Sequence, residues 1–459
     1  MSTSLGTGLR PDVRTAIPGP KSMELLRRQE ARESNARSYP RRLPVALERG
    51  MGAYVEDVDG NVFLDFLAGA GVLALGHSHP EVVAAVQEQL GKLVHGLDLP
   101  TPAKDQFTEA HLALLPESMR ATTKVHFCGP TGANAVEAAL KLCKSHTGRS
   151  DIISFQGGFH GSTHGAMAVT GLVAPKAAVP GRMPDVHFFP YSHCYRCPLG
   201  LTATECDTNC ASYLENSLRD THGGIPKPAA VLLELVQGEG GVIPATPAFA
   251  NRVARLAREL DVPLIVDEIQ TGYGRTGSWF AFERYGLEPD VVIASKAAGG
   301  IGLPISVMFY HRRLDTWNAG AHIGTFRGHQ LAFAASVAAL EVMRREDVLG
   351  NVAARGGQLR AGLDSLAAKE PAIGDVRGVG LMLGMEITDP RTGAPDPSRA
   401  AAIQTAALRR GLIVELGGRG DAVVRLLPPL TIDRDTADLA LEILTEAVAA
   451  AGRREENRC

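Results

Sequence analysis

The sequence contains no uninterrupted apolar run that approaches the roughly 20 residues of a membrane-spanning helix. Its first residues, MSTSLG, also lack the basic region followed by an apolar core that marks a secretory signal. These two absences favour a cytoplasmic protein with no membrane partner.

Neither acidic nor basic residues are in large excess. The formal net charge is −3 at pH 7, and the arginines are scattered along the chain rather than clustered. The sequence has no basic cluster of the kind that binds nucleic acid, so nucleic acid is not an expected partner. Small charged metabolites remain possible partners. Internal repeats and low-complexity tracts are missing too. With 459 residues, of which 45% are hydrophobic and 21% charged, the composition is typical of a globular enzyme with more than one domain.

Two short apolar runs each end in a charged residue. Residues 263–266 (PLIV) precede Asp267, and residues 290–294 (DVVIA) precede Ser295 and Lys296. Runs without alternation suit parallel strands covered on both faces, and open α/β sheets bind ligands outside the carboxyl ends of such strands. An acid and an amine at this edge suit pyridoxal phosphate: lysine forms a Schiff base, and a carboxylate keeps the pyridine nitrogen protonated. Taken alone, the two residues could equally be a helix-capping aspartate and a surface lysine.

The pattern of predicted elements is that of an α/β protein and divides the chain into four parts. Residues 1–40 are polar and are expected to form an N-terminal arm. Residues 41–104 include a hairpin that turns at Asp59-Gly60-Asn61 and a helix that starts at Pro80. Residues 105–334 alternate helices with short apolar strands, which predicts a large domain on a mostly parallel sheet. Residues 335–459 are expected to form a smaller α+β domain together with residues 41–104.

A loop of small residues opens a helix between residues 127 and 141 (FCGPTGANAVEAALK). The loop follows a predicted strand, so backbone N–H groups and the helix dipole would point at an anion such as phosphate. For such a loop on its own, an N-capped helix after a tight turn is the more frequent interpretation.

These motifs, taken in order, resemble those of class III (ω-amino acid) aminotransferases. Residues 267–277 (DEIQTGYGRTG) and the later Ser295-Lys296 match the family signature in residue type and spacing. The resemblance implies fold type I of the pyridoxal-phosphate-dependent transferases, with a large domain on a mostly parallel seven-stranded sheet and a smaller α+β domain. Further matching blocks are 76–80 (GHSHP), 155–161 (FQGGFHG), 234–241 (ELVQGEGG), 324–326 (GTF) and 425–430 (RLLPPL).

The resemblance also assigns roles to individual residues. Lys296 and Asp267 would be the catalytic pair that binds pyridoxal 5′-phosphate. Phe159 would stack on its ring, whereas His160 could equally be a structural histidine. Thr325 would donate to the phosphate bound in the neighbouring subunit, which implies a homodimer with a shared active site. The remaining cofactor-binding residues implied in this way are Gly132, Ala133, Glu234 and Gln270.

Two further residues are candidates for substrate binding. In glutamate-using relatives, an arginine at the position of Arg425 binds the α-carboxylate of glutamate or 2-oxoglutarate. A glutamate at the position of Glu239 pairs with that arginine when an ω-amine is bound, so one pocket admits two kinds of substrate. From the residues alone, a structural salt bridge remains an alternative.

Four cysteines lie close together in the sequence, at positions 194, 197, 206 and 210. Such spacing can hold zinc or an iron–sulfur cluster, which makes Cys194, Cys197, Cys206 and Cys210 the candidates for a metal site. Reduced thiols in a loop are the favoured alternative for a cytosolic enzyme, and no metal is expected.

The sequence therefore predicts a pyridoxal-phosphate-dependent aminotransferase that moves an amino group between an amino-acid donor and a keto-acid acceptor by a ping-pong mechanism. Within the family it most resembles the diaminobutyrate:2-oxoglutarate aminotransferases. An amino-acid racemase or epimerase would use the same lysine and cofactor and is the first alternative. A non-catalytic cofactor-binding scaffold is the second, and the intact Lys296 argues against it.

Overall fold

The computed structural model describes residues 10–202 and 204–456. The chain forms two compact units, here called the small unit (residues 1–80 and 350–459) and the large unit (residues 81–349). The predicted domain bounds at 104 and 334 stay a prediction. The units divide elsewhere because the helix Gln330–Arg345 packs on the helix Pro102–Leu112 within the large unit.

The strands are named in chain order. They are β1 (Leu47–Met51), β2 (Tyr54–Asp57), β3 (Val62–Asp65), β4 (Thr123–Gly129), β5 (Ile152–Phe155), β6 (Val186–Phe189), β7 (Ala230–Leu233), β8 (Val236–Gln237), β9 (Ile243–Pro244), β10 (Leu264–Asp267), β11 (Val291–Ala294), β12 (Ser306–His311), β13 (Ile373–Val379), β14 (Met382–Ile387), β15 (Leu412–Ile413), β16 (Glu415–Gly417) and β17 (Val423–Leu426).

The α-helices are named in the same way. They are α1 (Pro20–Arg32), α2 (Tyr39–Arg42), α3 (Ala68–Gly71), α4 (Pro80–Leu90), α5 (Pro102–Leu112), α6 (Glu117–Arg120), α7 (Gly132–Thr147), α8 (His164–Val169), α9 (Val173–Ala177), α10 (Asn209–Arg219), α11 (Pro247–Glu259), α12 (Gln330–Arg345), α13 (Val348–Ala367), α14 (Pro397–Leu408) and α15 (Arg434–Glu456). None of the helices in the described ranges combines the length and the apolar character that a membrane crossing needs.

The large unit is built on a seven-stranded sheet in the order β4-β12-β11-β10-β7-β5-β6. Strands β11, β10, β7, β5 and β6 run parallel, whereas β12 is antiparallel to both β11 and β4. The mostly parallel sheet is therefore confirmed, with β12 as the exception. Residue pairs Ile265↔Val291 and Asp267↔Ile293 fix the register of β10 and β11. This register brings the carboxyl ends of both strands to one edge of the sheet.

The small unit contains two four-stranded sheets. One has the order β1-β2-β3-β15 and includes the predicted hairpin, in which Asp57 N–H donates to the carbonyl of Asn61. Gly60 takes φ 83° in its turn, a conformation that favours glycine. The other sheet has the order β13-β14-β17-β16 and consists of antiparallel pairs.

Local sequence explains why several helices begin where they do. Proline occupies an early position of α5, α11 and α14, where its missing N–H is not needed. The side chains of Thr101, Thr246 and Asp396 precede these helices and accept a hydrogen bond from a backbone N–H of the first turn.

Candidate active site

A cavity of about 150 Å³ lies in the large unit at the carboxyl ends of β10 and β11. It brings together most of the residues that the sequence singles out, because parallel strands deliver their ends to one edge. The lining consists of Gly132, Ala133, Phe159, His160, Gly161, Glu234, Glu239, Asp267, Ile269, Gln270 and Lys296.

Asp267 ends β10 and is 4% exposed. Its Oδ2 lies 2.8 Å from Nδ1 of His160, and its Oδ1 accepts from the N–H of Ile269 at 3.0 Å. Burial lowers the pKa of His160, but the hydrogen bond to Asp267 and the charges of Asp267 and Glu234 outweigh burial, so the net shift is upward. The buried carboxylate is thus held in one orientation by two partners, the ring of His160 and the N–H of Ile269.

Lys296 follows β11 through Ser295, whose hydroxyl donates to the carbonyl of Ile305 at 2.7 Å. Lys296 takes φ 47°, a left-handed conformation that is strained for a residue with a side chain. Such strain persists where the surroundings fix it, and it clusters at functional sites. The lysine and Asp267 line the same cavity, so the predicted acid and amine share one crevice.

The helix α7 begins at the same cavity. Asn134 Oδ1 accepts from the N–H of Thr131 at 3.2 Å and from its hydroxyl at 2.9 Å, and the first turn carries no acidic residue. A Cβ added at Gly132 would lie 2.8 Å from the side chain of Ile269, so any larger residue there would force Ile269 or the loop to move. The N–H groups of Gly132 and Ala133 and the positive end of the helix dipole form a cradle that fits a phosphate.

Glu234 holds two loops of the cavity wall. Its Oε2 accepts from the N–H of Phe159 at 2.8 Å, and its Oε1 from the N–H of Gly238 at 3.2 Å. Burial, opposed by nearby His160 and reinforced by Asp267, raises the pKa of Glu234 to about 7. Glu234 therefore supports the loop that carries Phe159.

Thr325 does not line this cavity and is exposed within the short 3₁₀ segment Thr325–Gly328. Its carbonyl lies 2.8 Å from Nε2 of His95, which ties this segment to the loop after α4. In a single chain, therefore, Thr325 is not brought together with Lys296 and Asp267.

Arg425 lies on β17 of the small unit and is fully buried. Its Nη1 lies 3.1 Å from Oε2 of Glu415 on the neighbouring strand β16, and Glu415 Oε1 accepts from the hydroxyl of Tyr39 at 3.0 Å. Sequence reasoning missed Glu415 and Tyr39. The available signal was a glutamate that closes the apolar run 412–414 (LIV), since a charge inside a buried strand requires a partner.

The four cysteines lie in the large unit between β6 and the first turn of α10. Among the described residues, their sulfurs do not form a group of three within 4.8 Å of one another, unlike the ligands of a closed tetrahedral zinc site. Burial raises the pKa of the Cys210 thiol to about 11, and burial together with Cys206 and Cys197 raises that of Cys194. Both shifts disfavour the thiolate form of Cys194 and Cys210, the form that binds metals.

Comparisons with known proteins agree with this geometry. Residues 35–448 match the family model described as Aminotransferase class-III. The chain is 51% identical over 439 residues to a diaminobutyrate–2-oxoglutarate aminotransferase of Rhizobium meliloti, covering 94% of this chain and 92% of that protein. A protein of the same name from Haemophilus influenzae is 45% identical, with 94% and 96% covered.

Solved structures are similar over nearly the whole chain. An amine transaminase from an uncultivated Pseudomonas species, in its PLP-bound form, has a TM-score of 0.81 at 28% identity and covers 91% of this chain and 97% of that one. The ornithine aminotransferase of Toxoplasma gondii has a TM-score of 0.82 at 26% identity, with 95% and 96% covered. These likenesses support the fold type predicted from the sequence.

Proposed function

The chain belongs to the class-III aminotransferases, and from this membership we propose that it transfers the terminal amino group of 2,4-diaminobutyrate to 2-oxoglutarate. It is a pyridoxal-phosphate-dependent transaminase. The observation that carries the proposal is the single cavity lined by Lys296, Asp267 and the start of α7. The choice of donor is supported by relatives at 51% and 45% identity that are named for this donor and acceptor.

Six residues of the cavity have a defined role in the proposal. Bound pyridoxal phosphate supplies an aldehyde for the donor amine and a ring that withdraws electrons from the substrate carbon. Lys296 Nζ would act as a general base by taking the proton from that carbon, and then as a general acid by donating the proton that completes the transfer. The carboxylate of Asp267, oriented by His160, keeps a proton on the pyridine nitrogen. Backbone N–H groups at Gly132 and Ala133 bind the phosphate, and Phe159 stacks on the ring.

The enzyme is proposed to act as a homodimer. An exposed apolar surface, here called the dimer patch, joins the loop after α4 to the segment around Thr325 within the large unit. The two parts are linked by the hydrogen bond from Gly96 N–H to the carbonyl of Gly328. Large exposed apolar surfaces mark interaction sites. The patch consists of Leu90, Leu93, Val94, Leu97, Leu99, Ile323 and Phe326, each more than 40% exposed.

A second copy of the chain on the dimer patch would bring its own Thr325 segment to the interface. This arrangement supports the prediction that Thr325 serves the partner's phosphate site, since Thr325 lies at the patch and not in the cavity of its own chain. A cytoplasmic location is part of the same proposal and is supported by six described cysteines that are free thiols.

The proposal is tested with purified holoenzyme and a panel of donors: 2,4-diaminobutyrate, ornithine, 4-aminobutyrate, lysine and alanine. Glutamate formed from 2-oxoglutarate is followed, and diaminobutyrate should give the highest kcat/KM. A donor without any keto acid should change the cofactor spectrum once and then stop, because a transaminase waits for its second substrate. Exchange of the α-hydrogen with no lasting spectral change would instead indicate a racemase and refute the proposal.

A further inference from the structure

Two side chains hold the main chain of the loop that carries Phe159 and His160. The N–H of Phe159 donates to Glu234 Oε2 at 2.8 Å, and the N–H of His160 donates to Thr170 Oγ1 at 2.9 Å. Thr170 is 1% exposed, so its hydroxyl is an acceptor inside the protein. A buried N–H needs such an acceptor. The place of His160 in the cavity wall therefore depends on a residue ten positions further along the chain.

Thr170 is itself held in one place. It directly follows α8, and its hydroxyl donates to the carbonyl of Ala166 at 2.9 Å, with the carbonyl of Gly161 at 3.2 Å. The start of α8 is anchored in turn by Glu137 of α7, whose Oε1 accepts from the N–H of Gly165 at 2.9 Å. Thr170 thus connects the loop of His160 to α8, which is fixed on the helix that begins at the cavity.

The loop around His160 is packed closely. A Cβ added at Gly158 would lie 3.1 Å from Nε2 of His160. One added at Gly161 would lie 2.7 Å from the Cβ of Ala133. His160 is 3% exposed, and its Nδ1 lies 2.8 Å from Oδ2 of Asp267. A shift of the main chain at His160 would therefore move the imidazole relative to the carboxylate.

We propose that Thr170 is a positioning residue for amino transfer: its hydroxyl fixes the main chain of His160, and the imidazole in turn orients the carboxylate of Asp267. The inference rests on the proposed function and deepens it, because it assigns a role to a residue that does not line the cavity. The role requires a group that accepts one hydrogen bond and donates another, as a hydroxyl does. Serine should therefore replace Thr170, whereas valine should not.

The first test is Thr170→Val in the holoenzyme, which keeps the branched shape and removes the hydroxyl. We expect kcat to fall roughly tenfold, because a small displacement of Asp267 affects the reacting geometry. KM for diaminobutyrate and for 2-oxoglutarate should change less than about twofold, since neither substrate is bound by these groups. Thr170→Ser should keep kcat within about threefold of wild type.

The matched control is Thr388→Val, the same substitution at another buried threonine. Thr388 is 3% exposed and lies in the small unit, with its hydroxyl 3.5 Å from the carbonyl of Ala372. This control should lower the unfolding temperature and leave kcat unchanged. An equal fall of kcat in both variants would show that the effect of Thr170→Val is a general loss of stability, and it would overturn the inference.

The second test measures His160 directly by NMR titration of the apoenzyme. Burial lowers the pKa of His160 and the hydrogen bond to Asp267 raises it. A looser contact in Thr170→Val should therefore give a lower pKa for His160, and Thr170→Ser should restore the wild-type value. Thr388→Val should not change it. An unchanged pKa in Thr170→Val would mean that the hydroxyl does not position the imidazole.

A double variant checks that Thr170 acts through Asp267. In an Asp267→Asn background, Thr170→Val should reduce kcat by less than about twofold, because the carboxylate that it serves is gone. If the two losses of kcat instead multiply, Thr170 acts independently of Asp267 and the inference fails.

The two proposals fail in different ways. A wild-type enzyme that does not use diaminobutyrate refutes the proposed function. The titration of His160 needs no substrate, so it tests the role of Thr170 in either case. If Thr170→Val does not fold, Thr170→Cys takes its place, because a thiol is only a weak acceptor. A lower kcat at unchanged KM in Thr170→Cys supports the role, and a wild-type kcat excludes it.

Discussion

At the residue scale, Asp267 and His160 form a buried contact between a carboxylate and an imidazole at the centre of the cavity wall. Both side chains are nearly inaccessible and lie 2.8 Å apart. Removing one charge from a buried pair strongly destabilises the folded state, because the remaining charge is left uncompensated. The consequences of a substitution at Asp267 should therefore appear in the protonation of His160 as well as in catalysis.

Asp267→Asn keeps the shape of the side chain and removes its charge. We expect the rate of amino transfer to fall at least a hundredfold, because the pyridine nitrogen loses its anionic partner, while KM changes much less. NMR titration should show a lower pKa for His160, since its main upward contribution is lost. Asp290→Asn is the control, because Asp290 lies just before the amino end of β11 and does not line the cavity. A rate within about threefold of wild type would show that Asp267 has another role.

Lys296→Ala removes the amine that should both hold the cofactor and move the proton. We expect turnover to fall by several orders of magnitude, with pyridoxal phosphate still bound through the remaining cavity residues. Borohydride reduction of the wild-type enzyme, followed by peptide mass spectrometry, should find the cofactor on Lys296. A label on a different lysine would refute the assignment.

Glu268 should make the free energy of unfolding depend on pH, separately from any effect on catalysis. Burial raises its pKa to about 7, although Thr271 and the N–H of Phe282 donate to it. Between its unfolded value of 4.5 and about 7, the folded state binds the extra proton, so the free energy of unfolding falls as pH rises through this window. The loss amounts to about 3 kcal/mol for this group. Glu268→Gln should remove that part of the slope in urea unfolding of the apoenzyme at pH 5 and 7.5. An unchanged slope would contradict the shift.

At the element scale, the N-terminus of α7 depends on the absence of a side chain at Gly132. In Gly132→Ala the new Cβ would meet the branched side chain of Ile269, which also lines the cavity, so the cradle must open or shift. We expect the dissociation constant for pyridoxal phosphate to rise roughly tenfold or more. Gly357→Ala in α13 is the control, because nothing lies within 4 Å of the added Cβ. Equal cofactor affinity in both variants would mean that the cradle does not bind the phosphate.

The sequence allows the elements around the site to be predicted, but not every strand direction. The hairpin of β2 and β3 was predictable from alternating residues around Asp59-Gly60-Asn61, and the start of α4 from Pro80. The antiparallel direction of β12 was not, because its first five residues are all buried and such a run looks the same in either direction.

The site was predictable to the extent that it lies on consecutive strand ends. Asp267 and Lys296 meet because neighbouring parallel strands end at one edge, which the local pattern implies. The contact of Arg425 with Glu415 depends instead on antiparallel pairing across the turn between β16 and β17, and that of Tyr39 joins positions 376 residues apart. Single-sequence patterns do not encode such pairings, so these partners become visible only in the folded chain.

At the scale of the whole molecule, the dimer patch and the position of Thr325 lead to a test that does not depend on the strength of one contact. Thr325→Asp would place a negative charge next to a phosphate and should abolish activity in the site that this residue serves. Lys296→Ala abolishes activity in its own subunit. A hybrid dimer carries one substitution in each subunit, so the two possible arrangements of the site give different results.

If Thr325 serves the partner, the subunit with Thr325→Asp keeps its own Lys296 and receives an intact Thr325 from the Lys296→Ala subunit. Each hybrid dimer then has one working site, and mixing two inactive proteins under conditions of subunit exchange should restore activity. If Thr325 served its own subunit, both sites of the hybrid would be defective and no activity would return. Phe326→Asp in the dimer patch should prevent exchange by weakening association, and it should abolish the rescue when it is added to either parent. Sedimentation confirms the oligomeric state of each mixture, and rescue without dimers would contradict a shared active site.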